Sequence, residues 1–62
     1  MTYVIEVNNG RKWKRFCFTE EEYLEENLNN AKEMHWKIRY REFPNGTNKW
    51  KYVKGDLYTS IM

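Results

Sequence analysis

The chain reads as a small α+β domain, ββαββ, in which a four-stranded antiparallel sheet carries one helix packed on one face. Three observations predict it. Apolar and polar residues alternate along 2–7 and 36–43, the period of half-buried strands. Asn-Gly pairs stand at 9–10 and 45–46, each after an alternating run and before a second one, which is the strongest short-range hairpin signal. Between the two hairpins, residues 19–34 carry a helical pattern.

The elements follow in order. Tyr3, Ile5 and Val7 share one face of the first strand, with Val4 and Glu6 on the other. The second strand spans Lys12 to Phe18. Thr19-Glu20-Glu21-Glu22 has the form of a capping box, in which the Thr19 hydroxyl accepts from the Glu22 amide and Glu22 reaches back to Thr19. The acids of that first turn also suit the positive end of the helix dipole. The helix then runs to about Met34. Tyr23, Leu24, Leu28, Ala31 and Met34 fall within a stripe roughly 140° wide at 3.6 residues per turn. The third strand covers 36–43, a turn occupies 44–48, and the fourth strand covers 49–54. Gly55 and Asp56 lead into a tail, 57–62, with the length of one helical turn. A strand order of 2-1-3-4 keeps every neighbour antiparallel.

Register decides which side chains share a face, because a slip of one residue reverses them all. A five-residue loop at 44–48 sets Phe43 opposite Lys49, Arg41 opposite Lys51 and Tyr40 opposite Tyr52. Trp36, Ile38, Tyr40, Trp50 and Tyr52 then make the core face. The alternative, a two-residue Asn45-Gly46 loop, sets Arg41 opposite Trp50 and Tyr40 opposite Lys51. It mixes both faces and drives unpaired cations into the core, so burial favours the longer loop. In the first hairpin an Asn9-Gly10 turn pairs Tyr3 with Phe16 and Ile5 with Lys14. Phe16 and Phe18 then join the core, and Val4, Trp13, Arg15 and Cys17 face away. A three-residue loop, with Trp13 beside Ile5, stays open.

Size and composition exclude several function classes. Sixty-two residues make one small domain, residues 1–62, too small for a large enclosed active site. One Cys permits no internal disulfide, and one Cys with one His makes no structural zinc site. No apolar run reaches the roughly 18 residues of a membrane span, and MTYVIEVNNG does not have the pattern of a signal peptide. A cytoplasmic location is expected, with no membrane partner. Cys17 and His35 lie on separate elements and do not suggest a nucleophile pair. The paired carboxylates sit on an exposed helix face, and no glycine-rich phosphate loop is present. A non-enzymatic protein with no cofactor, no metal and no small-molecule substrate is therefore expected. Asn45-Gly46-Thr47 has the glycosylation pattern but reads as a turn.

Charge is segregated along the chain. The net charge of +2 conceals six acids against Lys32 within 19–34, and ten bases against three acids elsewhere. The acidic helix face reads as solvated. The expected open sheet face holds Arg15, Lys37, Arg39, Arg41, Lys49 and Lys51, with Trp13 and Phe43 among them. Cations neutralise phosphates and interleaved rings stack on exposed bases, so these eight residues are the candidate binding set. Three readings follow. The first is a small binding module whose open basic and aromatic sheet face contacts nucleic acid. The second is a protein-binding inhibitor or adaptor, of the kind phages and mobile elements encode, docking on an acidic host-protein surface. The third is a structural homodimer, which would help so small a core.

Residues 36–55, WKIRYREFPNGTNKWKYVKG, loosely resemble the hairpins of the arm-binding domains of tyrosine-recombinase integrases, which place a small three-stranded sheet in the DNA major groove. The resemblance rests on a Trp-x-x-Arg-Tyr strand, a turn and a basic strand. It departs from that family in lacking a helix of the expected length after the hairpin. It implies Arg39, Arg41, Lys49 and Lys51 as contacts. The aromatic, Asn-rich hairpin–helix–hairpin style also resembles small phage-encoded proteins that block a host enzyme.

Overall fold

A computed structural model describes residues 1–44 and 49–56. β1 (Thr2–Asn8) and β2 (Trp13–Glu20) form the first hairpin. A 3-10 turn (Glu21–Tyr23) leads into α1 (Leu24–Met34), followed by β3 (Lys37–Phe43) and β4 (Lys51–Lys54). The strands make one antiparallel sheet in the order β2-β1-β3-β4, the order expected. Residues 45–48 of the expected second turn, and the expected 57–62 helical turn, lie outside the described residues.

Asn8 Oδ1 accepts the Gly10 amide at 2.6 Å, and Gly10 takes φ +107°, where a side chain would be strained. Asn9 ties this turn to the far end of α1: its Oδ1 accepts from the Trp36 amide at 3.3 Å and lies 3.1 Å from His35 Nδ1. At the same end of the sheet the Gly55 amide donates to Trp36 O at 2.7 Å, and Gly55 is buried.

α1 lies against the sheet face that carries Ile5, Val7 and Ile38. Ala31 is fully buried there, and Leu24, Leu28, Phe16, Cys17, Tyr40 and Val53 complete the layer. Burying each large aliphatic contributes roughly 1.5–3 kcal/mol. Tyr23 and Met34, the outer members of the expected stripe, are exposed. The seam is narrower than periodicity suggests because only Leu24, Leu28 and Ala31 reach the strands.

The capping box does not form. No side chain caps the 3-10 turn or α1. Thr19 instead ends buried within β2, where its hydroxyl accepts from Asn27 Nδ2 at 2.7 Å and donates to Glu20 O at 3.2 Å. β2 extends through Glu20, so Thr19 has strand geometry and is committed to a tertiary contact before the helix begins.

Both hairpin registers differ from those expected. β1 pairs with β2 as Tyr3↔Thr19 and Ile5↔Cys17, then as Glu6↔Arg15 and Asn8↔Trp13, with a bulge that leaves Phe16 as the extra residue. The bulge lets Phe16 and Cys17 both pack on the helix side and turns Phe18 to the opposite face. Cys17 and Phe18 thus exchange their expected positions, while Trp13 and Arg15 keep theirs. In the second hairpin Ile38 faces Val53, Arg39 faces Tyr52 and Tyr40 faces Lys51. This is the register of the shorter loop. It puts no cation in the core: Arg39 and Arg41 lie on the face away from α1, and the rings of Trp50 and Tyr52 lie there with them. A helix with so narrow a seam cannot cover five more aromatic side chains, so the sheet distributes its rings over both faces. Trp36 also leaves the core; it precedes β3 and its ring passes Gly10.

Candidate functional site

The face opposite α1 is a second packed layer, built by alternation on all four strands. β1 contributes Val4 and Glu6, β2 contributes Trp13, Arg15 and Phe18, and β3 contributes Arg39, Arg41 and Phe43. Tyr52 enters from β4 and Trp50 from just before it.

Arg39 is its centre. Nε donates to Glu6 Oε1 at 2.8 Å, and Nη2 donates to the same oxygen. The guanidinium carbon lies 4.3 Å from the Trp13 ring centroid and 4.1 Å from that of Trp50. Trp13 in turn meets Tyr52 edge-on at 5.9 Å. Both partners of the ion pair are largely buried, at 19% exposure for Arg39 and 23% for Glu6. Arg39 is therefore neutralised within the fold and holds the two hairpins together across β1 and β3. Its charge is already satisfied, which removes it from the set of free cations.

Towards the Thr2 end the layer opens into a shallow depression of about 260 Å³, lined by Val4, Glu6, Arg15, Phe18, Arg41 and Phe43. Val4 is only 5% exposed although it faces away from the helix, because these side chains cover it. Phe18 and Phe43 meet at 4.9 Å and both keep an exposed surface. The Arg15 guanidinium lies 5.1 Å from the Phe18 centroid, and that of Arg41 lies 4.9 Å from the Trp50 centroid. Arg41 also donates to the Glu42 carbonyl at 3.2 Å. Neither Arg15 nor Arg41 has a carboxylate partner among the described residues. Tyr52, 65% exposed, is the most open ring of the face.

Five of the eight expected binding residues, Trp13, Arg15, Arg39, Arg41 and Phe43, meet in this layer. Lys37 shares the face but lies at its other end, opposite Asn8 and Lys54. Lys51 does not belong to the layer: it is opposite Tyr40, on the side that carries α1. Lys49 is exposed before β4 begins. Arg39 and Lys51 face rings rather than cations, whereas Lys37 faces Lys54. Phe18, Trp50 and Tyr52 were missed. The signal for the last two was present, because the shorter-loop register sets them beside Arg39 and Arg41.

Two titratable groups border the core. Burial pushes the Cys17 thiol up, so it stays protonated and weakly nucleophilic at neutral pH. Burial holds the His35 imidazole below its ordinary value. Among the described residues no cluster of His, Cys, Asp and Glu could hold a metal ion, and no helix is long and apolar enough to cross a membrane.

No protein family, curated protein or solved structure matches this chain. The chemistry of the layer itself carries the functional reading.

Proposed function

We propose that this protein is a non-enzymatic binding module that takes single-stranded nucleic acid across the sheet face opposite α1. The observation that carries the reading is the depression in which exposed Phe18 and Phe43 rings stand between Arg15 and Arg41, two guanidinium groups with no carboxylate partner among the described residues. Bases stack on exposed rings at about 1–3 kcal/mol each, whatever their sequence. Arginine forks bind phosphate oxygens in a bidentate manner. The Glu6–Arg39 pair and the rings on it hold this surface in place before any ligand arrives, which lowers the ordering cost of binding. α1 presents acids and would repel a phosphate backbone, so the strand lies on the sheet side.

The test is fluorescence anisotropy with labelled single- and double-stranded oligonucleotides, using the wild type beside an Arg15→Glu/Arg41→Glu variant. Arg15 stands opposite Glu6 in the β1–β2 ladder, so circular dichroism first checks that the variant keeps its fold. Salt-sensitive binding that prefers single strands and disappears in the variant supports the reading. No binding at low salt contradicts it.

A second reading has its own observation. Neutralisation of Arg39 leaves a face rich in Trp, Tyr, Phe and Arg but modest in free charge, which is the composition of protein-binding hot spots. A partner protein with an acidic surface would then depend on Phe18, Phe43 and Tyr52 as anchors and show a weak response to salt. Phe43→Ala separates the two readings. It would abolish hot-spot docking, yet lower nucleic-acid affinity only by the stacking of one base.

A further inference from the structure

We propose a second binding site, distinct from the open sheet face, that takes a phosphate or polyphosphate group in the cleft between the first hairpin turn and the α1–β3 junction. The cleft measures about 430 Å³ and is lined by Val7, Asn9, Arg11, Lys12, Lys14 and His35. Residues 11–15 read Arg-Lys-Trp-Lys-Arg. β2 pairing sends Trp13 and Arg15 to the open face, while Lys14 pairs with Val7 on the other side. Three cations thereby converge on one concavity with no carboxylate in its lining, and none of them has a carboxylate partner among the described residues.

The back of the cleft is built rather than incidental. Asn9 Oδ1 is engaged by the Trp36 amide and by His35 Nδ1, which leaves the Asn9 amide nitrogen as a donor. The His35 ring is further fixed edge-on to Phe16 at 5.7 Å. Three cations and the Asn9 amide donor outweigh the single acceptor, His35 Nε2, and this balance suits a compact polyanion rather than an apolar ring. A free polyphosphate and the phosphorylated end of a nucleic-acid strand present the same chemistry.

His35 is the single histidine of the chain, so its ring resonances report the cleft without ambiguity. The experiment is a proton NMR titration of the intact protein with inorganic pyrophosphate at low ionic strength. The expected result is a saturable shift of the His35 ring signals. Lys12→Gln and Lys14→Gln should each weaken the affinity about tenfold, the loss of one charge-assisted contact. Arg41→Gln, on the other face, should leave it unchanged, so failure of the open-face reading would not remove this site. Anisotropy with a 5′-phosphorylated oligonucleotide and its unphosphorylated twin separates the sources. A Lys14-dependent gain from the phosphate assigns the strand end, and no gain beside a clear pyrophosphate response assigns a free polyphosphate. An unmoved His35 signal overturns the proposal. So does wild-type affinity in both the Lys12→Gln and the Lys14→Gln variant, which would leave these cations merely complementing the carbonyl end of α1.

Discussion

Replacing Arg39 with alanine removes the centre of the layer opposite α1. Two stacking contacts at 4.3 and 4.1 Å are lost, and so are both donors to Glu6 Oε1. The Glu6 carboxylate is then left largely buried without its partner. Stacking contributes about 0.5–1 kcal/mol per partly exposed contact, and loss of a hydrogen-bonded charged partner costs about 1.5–3 kcal/mol. With the usual shortfall from additivity, the substitution should cost about 3 kcal/mol. A chain of this length has only about 3–9 kcal/mol of stability in total, so the variant should lose at least about a third of it. Arg41→Ala provides the contrast. Arg41 has one ring contact and one backbone bond but no carboxylate, and its loss should cost under about 1 kcal/mol. Urea unfolding followed by far-UV circular dichroism measures both, since the indoles beside Arg39 would confound a fluorescence signal. A double-mutant cycle of Glu6→Gln with Arg39→Gln should give a coupling of at least about 1 kcal/mol. Equal losses for Arg39 and Arg41, or a coupling near zero, would refute the assignment of Arg39 as the internal brace.

Three further outcomes follow from the fold. Gly55→Ala should cost about 2 kcal/mol or more in thermal unfolding, because a Cβ there would overlap the His35 carbonyl and crowd Ile38 Cδ1 at 3.1 Å. Asn27→Ala should cost about 1 kcal/mol through its bond to Thr19, while Glu22→Gln should change urea stability by only a few tenths, since no capping box depends on it. Because burial holds the His35 imidazole below its ordinary value of about 6.5, the unfolded chain takes up the proton first as the solution is acidified. Stability should therefore rise with pH up to that ordinary value and be lost below it. The urea midpoint at pH 5.5 should lie below that at pH 7.5, and His35→Gln should flatten the difference.

Local signals in the sequence were sufficient for the strands, the helix end at Met34 and the neighbour order of the sheet. Alternation, an Asn-Gly turn and a periodic stripe are encoded within a few residues of where they act. The registers were not legible in the same way. A bulge at Phe16 leaves no compositional mark, yet it moves Cys17 to the helix side and Phe18 to the open face. The longer loop is expected because the shorter one mixes rings with cations on each face, and that expectation fails because rings and guanidinium groups pack on one another on the face away from α1. Two guanidinium groups cover the Trp50 ring, while Tyr52 meets Trp13 edge-on and stays exposed, and the charges stay out of the core. The Glu6–Arg39 pair spans 33 residues and exists only because β1 lies beside β3. Alternation does set Glu6 and Arg39 on one face, so that contact was within reach once the strand order was assumed. Thr19 shows the opposite failure: a sound local motif yields to a tertiary contact with Asn27.

The most direct test of the open face as a nucleic-acid surface is the salt dependence of single-strand binding. Each cation that neutralises a phosphate adds about 0.7 to the slope of log K against log salt for a single strand. An Arg15→Gln/Arg41→Gln variant should therefore bind with a slope shallower by about 1.4 than the wild type. An unchanged slope, or no binding by the wild type at low salt, would contradict the account and leave the rings of this face to a protein partner.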